Sequence, residues 1–132
     1  MAKNSISKIS NAFSTGGGGV NFEQQIQAMF LLSLLIDGFC PAMNEQTKKV
    51  HFQAKHLGHD VDDLVVITYR NQSEGKMACQ IKHSITATEK DKTFQEVICA
   101  AWNDFNKEDF DRDRDRIALV TAQISNKAQQ SL

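Results

Sequence analysis

Asp63-Leu64-Val65-Val66-Ile67-Thr68-Tyr69, then Asn71 to Gly75, then Met77-Ala78-Cys79-Gln80-Ile81-Lys82: this stretch decides how the chain folds. Leu64 to Tyr69 is a β-branched run of the kind that fills a buried strand, and Met77 to Lys82 is a second run of strand length. The polar, glycine-bearing segment between them predicts a hairpin. Asp63 stands where the first run leaves the core, and because an unpaired buried charge is costly it must reach water, a partner or a cation. Gln80 and Lys82 are two apart, so their side chains share one face and Ile81 takes the other. In an antiparallel hairpin the start of the first strand meets the end of the second, so Asp63, Gln80 and Lys82 are expected to converge.

Upstream, Asn21 with Gln24 three residues on forms a capping-box pattern, and a helix is predicted from Asn21 to about Ile36. Ile26, Met29, Phe30, Leu32, Leu34 and Leu35 make it apolar almost all round, so its second half is expected to be buried on several sides. Gly38 and Pro41 end it. Glu23 falls in its first turn, where the helix dipole favours any acid, and where it could also offer a second carboxylate to the hairpin. Gly16 to Gly19 reads as a flexible lead-in, because a phosphate loop needs a preceding strand and a following Gly-Lys-Ser/Thr. Before it, Ile6, Ile9 and Phe13 recur at helical spacing.

Val50 to Ala54 alternates as a strand does, and Gly58 to Asp63 is a polar loop. Thr93-Phe94-Gln95-Glu96 repeats the capping pattern before Phe94, Val97, Ile98, Ala101, Trp102 and Phe105, which follow the spacing of an amphipathic helix. Asp111 to Arg116 alternates charge and reads as a solvated connection; Ile117 to Ala122 reads as a buried strand. The order is α-β-β-β-α-β. A helix entering the last strand implies a crossover, so the fold class is α/β with a mixed central sheet flanked by helices.

With 132 residues, 41% of them hydrophobic, the chain can build one core. The longest apolar stretch, Ala28 to Ile36, contains Ser33 and is far short of the ~20 residues that span a bilayer. No signal-type core is visible, so a cytoplasmic protein without membrane contact is expected. Cys40, Cys79 and Cys99 read as small reduced core residues without zinc spacing. A net charge of −1 argues against a purely electrostatic nucleic-acid binder. Lys48, Lys49, Lys55, Lys76 and Lys90 are candidates for phosphate-backbone contacts, although a solvated lysine is the ordinary reading of each.

A converged Asp63, Gln80 and Lys82 would set oxygen donors for a hard cation beside an ammonium. Mg²⁺ suits one or two carboxylates completed by waters and phosphate oxygens, with Mn²⁺ able to substitute. Asp60 and Asp62 are equally placed as ligands, and Gln80 and Lys82 also fit the solvent face of an edge strand.

Phe22-Glu23, Asp62-Asp63-Leu64-Val65-Val66, Gln80-Ile81-Lys82-His83-Ser84, Trp102-Asn103-Asp104-Phe105 and Ile117-Ala118-Leu119-Val120-Thr121 together resemble the PD-(D/E)xK nuclease superfamily. Asp63 stands for its first acid and Gln80-Ile81-Lys82 for its (D/E)xK element. Gln for the acid departs from the general pattern but is the form of Mrr-like restriction endonucleases. The chain is most similar to the N-terminal double-stranded-DNA endonuclease domain of CD-NTase-associated and STAND (NACHT-type) anti-phage effectors. The resemblance implies a restriction-endonuclease-like core and catalytic residues Glu23, Asp63, Gln80 and Lys82, with Glu23, Asp63 and Gln80 holding Mg²⁺. It also implies duplex DNA as substrate, and silence until a sensor region oligomerises the chain. On this reading residues 1–15 are a lead-in and residues 16–132 the nuclease domain. The chain would then be the front of a longer polypeptide that continues into a sensor ATPase or cyclic-nucleotide-binding region.

Overall fold

A computed structural model describes residues 17–125; residues 1–16, which contain the lead-in 1–15, and the segment 126–132 lie outside the described residues. Helix α1 spans Gly17–Leu35, strands β1 Phe39–Cys40, β2 Glu45–Phe52, β3 Leu64–Arg70 and β4 Ser73–Ile85 follow, then helix α2 Lys92–Phe105 and strand β5 Arg116–Ile124. The sheet order is β1-β2-β3-β4-β5, with β4 and β5 parallel and every other pair antiparallel. The fold is therefore mixed α/β, with α2 as the crossover that makes the last pair parallel. Among the described residues no helix is long and apolar enough to cross a membrane.

The β3–β4 hairpin forms as expected but closes more tightly. Asn71 and Gln72, at φ 50 and 63, make a two-residue left-handed turn, and Gly75 lies within β4 opposite Thr68. A Cβ at Gly75 would sit 2.8 Å from Arg114 Nε, so the strand needs its bare backbone there. Alternation then sorts the core into two layers. Leu64, Val66, Met77, Cys79 and Ile81 pack on α1 through Ile26 and Phe30. Val65 and Ala78 pack with Ala54 and Val61 toward Ala100 and Ala101 of α2.

Several expectations for the helices fail, those about burial because a helix of this fold has only one surface to pack on. Helix α1 begins at Gly17, so Asn21 is internal and Glu23 lies in the second turn. Its second half is not buried on several sides: Leu32, Leu35 and Ile36 are well exposed. Helix α2 is capped by Asp91, whose Oδ1 accepts Phe94 N–H at 2.7 Å, and not by Thr93. Its packed face runs through Val97, Ala100, Ala101 and Asp104, since small residues allow close approach, and this leaves Ile98 and Trp102 to solvent. Cys99 is exposed on the same helix, while Cys40 and Cys79 are core residues as expected.

The connection to β5 is not simply solvated. Arg114 turns inward to pair with buried Glu45 at 3.1 Å, and buried Asp115 accepts the Lys76 and Asp111 N–H groups. Glu45 also takes the Thr68 hydroxyl at 2.6 Å. A buried carboxylate and a half-buried guanidinium thus satisfy each other across 69 positions, which is why β2 extends back to Glu45 through a polar stretch.

Candidate active site

The register Leu64↔Cys79 puts Asp63, just before β3, across from Gln80. Gln80 Nε2 donates to Asp63 Oδ2 at 2.5 Å, and the Ile81 N–H donates to the same oxygen at 2.8 Å. Lys82 lies two residues on and on the same face as Gln80. Both line a groove of about 190 Å³ with Asp60, Thr93 and Glu96, floored by Val97 and Ala100 of α2. His83 takes the other face, its ring edge-on to Phe22 of α1 at 5.6 Å.

Glu23 arrives from the α1 side, at the end of the sheet where β2 stops and β3 starts. Gln53 follows β2 at φ 50, and its Nε2 donates to Glu23 Oε1 at 2.7 Å; Gln27 Nε2 reaches the same oxygen at 3.1 Å. Burial raises the Glu23 carboxyl above its ordinary value, and the charges of Asp63 and Asp62 add to this while Lys82 and Gln53 oppose it. Burial likewise raises Asp63, with Asp62 adding, against the Ile81 N–H, the Lys82 charge and Gln80. Glu23, Asp62, Asp63 and Lys82 therefore share one electrostatic neighbourhood.

Asp60, an alternative ligand by sequence, pairs with Lys107 at 3.4 Å instead. The loop that carries it is held by a residue whose role sequence reasoning missed. Asp104, buried in the last turn of α2, accepts the Asp60 and Val61 N–H groups, Val61 at 2.8 Å, and pairs with Lys107 at 2.5 Å. Burial would raise its carboxyl, but Lys107 and the two backbone donors outweigh this and hold it below its ordinary value. By sequence Gln53 counted only as part of the Val50 to Ala54 strand and Glu96 only as part of a capping pattern; neither signal pointed to the site. Of the five lysines considered for phosphate contact, Lys76 is taken up by Asp109 and Asp115, while Lys48, Lys49, Lys55 and Lys90 are exposed.

The donor set is two carboxylates and an amide. Asp63 Oδ1, Glu23 Oε2 and Gln80 Oε1 accept no hydrogen bond among the described residues. Hard oxygens beside two mutually repelling carboxylates fit Mg²⁺, which would relieve that repulsion. No group of three His, Cys, Asp or Glu that could hold a metal occurs among the described residues, so waters and substrate oxygens would have to complete the shell. No family model, curated protein or solved structure matches this chain.

Proposed function

We propose that the chain is a metal-dependent endonuclease domain with a PD-(D/E)xK core, hydrolysing phosphodiester bonds of double-stranded DNA with little sequence preference. The observation that carries the proposal is the Asp63–Gln80 pair at the mouth of the hairpin with Lys82 beside it on the same face. Asp63 and Glu23, with Gln80 through its amide oxygen, are the residues that would hold Mg²⁺. When bound, the ion supplies Lewis-acid polarisation of the phosphate and a water of lowered pKa. The Lys82 ammonium acts electrostatically on Glu23 and Asp63, which sets it beside the carboxylates to orient the attacking water and offset charge developing on phosphorus. By its resemblance, the domain serves in the cytoplasm as an anti-phage effector, switched on when a C-terminal sensor region oligomerises it.

The test is plasmid cleavage by full-length protein with its trigger and Mg²⁺, with duplex RNA in parallel. Lys82→Ala and Asp63→Asn should each abolish cutting while leaving the circular dichroism spectrum intact; cutting retained by both variants sinks the proposal. One observation favours a second reading, a DNA-binding or oligomerisation module without catalysis. Asp63 Oδ2 is already satisfied by two N–H donors, so the pair can stand without a cation. Calorimetric titration separates the two, since the module would take up neither Mg²⁺ nor Mn²⁺.

A further inference from the structure

Helix α1 carries two apolar stripes. Phe22, Ile26 and Phe30, four apart, face the sheet. Ala28, Leu31, Leu32 and Leu35 follow the i, i+3, i+4, i+7 rule on the other side. There Leu31, Leu32 and Leu35 are 46%, 56% and 80% exposed, with Met29, Ile36 and Phe39 similarly open beside them. No charged residue occurs from Gln24 to Ile36. A helix that meets water on its outer face ordinarily carries charges there.

We propose that this outer face of α1 is the surface through which two copies of the chain associate, helix against helix about a two-fold axis. The size of the patch supports that occupant. Six large apolar side chains, each about half exposed or more, amount to on the order of 600 Å². That is the upper end of the largest patch on a typical monomer and approaches the ~800 Å² each partner gives to a standard interface. Its lack of charge supports a second copy in particular. A two-fold contact sets a patch against itself, so it must be self-complementary, and a neutral leucine stripe meets that condition where a charged one would repel. Ala28 at the edge of the stripe lets two helices approach closely.

The inference does not rest on the phosphodiesterase reading, and its test keeps the two apart. Light scattering on the full 132-residue chain at micromolar concentration should give twice the 14.8 kDa chain mass. Leu32→Glu with Leu35→Glu should return the chain mass, weakening association on the order of 100-fold or more, with helicity kept because both positions are exposed in a single copy. Leu32→Gln with Leu35→Gln serves if the acidic pair disturbs folding. Lys82→Ala should remain dimeric whatever its effect on DNA. A wild-type chain that stays monomeric, or double variants that folded circular dichroism accompanies and that still dimerise, would overturn the proposal.

Discussion

Replacing Asp104 by alanine should destabilise the domain by roughly 3 kcal/mol and loosen the loop that delivers Asp63, although Asp104 makes no hydrogen bond or ion pair to Glu23, Asp63, Gln80 or Lys82. Val61 is fully buried, so its N–H loses its acceptor where water cannot reach, at about 1–3 kcal/mol. The Asp60 N–H lies in a partly open loop and can turn to water, which adds less than ~1 kcal/mol. The Lys107 ammonium is 34% exposed and keeps Asp60 as partner, so that pair adds only about 0–1 kcal/mol. Against a usual stability of ~5–15 kcal/mol the sum is a large fraction. Asp104→Asn keeps one acceptor and should lose about half as much. Urea unfolding at neutral pH measures both. The pH dependence follows from the sign of the carboxyl shift. Held below its ordinary value, Asp104 contributes fully above its unfolded pKa and loses that contribution as pH falls through its folded one. The difference between wild type and Asp104→Ala should therefore shrink in acid. A loss under ~1 kcal/mol, or one that persists unchanged into acid, would refute the clamp.

Two further outcomes follow from buried charge. Gln80→Glu sets a second carboxylate where Gln80 Nε2 now lies 2.5 Å from Asp63 Oδ2, and two acids that close cannot both ionise without a cation. The variant should melt lower than wild type in chelator and recover in millimolar Mg²⁺; a deficit that Mg²⁺ leaves untouched counts against a cation site. At the other end of the sheet, burial would raise the Glu45 carboxyl. Hydrogen bonds from Arg114 and Thr68 and the charges of Arg114 and Arg70 outweigh this and hold it low. Its contribution is present above the unfolded glutamate pKa and lost as pH falls through the folded value, so Glu45→Gln should flatten the acid limb of the stability curve. An acid limb identical to that of wild type would show that Glu45 carries none of it.

What was readable in advance lies where neighbours in sequence determine neighbours in space. Strand period places Gln80 and Lys82 on one face without reference to the rest of the molecule, and a short turn forces Asp63 to meet them. Local signals were weaker at element ends. The caps of α1 and α2 moved because an aspartate at position 91 and a glycine run tolerated as helix outcompeted plausible cap residues further in.

By itself, then, the sequence determined the β3–β4 hairpin, the crossover through α2 and the approach of Asp63 to Gln80, all set by periodicity and chain connectivity. Only the tertiary structure decided the rest. It brought Glu23 to Gln53 across thirty positions, Asp104 to Val61 across forty-three and Arg114 to Glu45 across sixty-nine. It also decided which apolar residues of α1 find a partner. A five-stranded sheet offers each helix one face, so an all-round apolar helix must leave half its side chains uncovered, and no periodicity reveals that half until the sheet is in place.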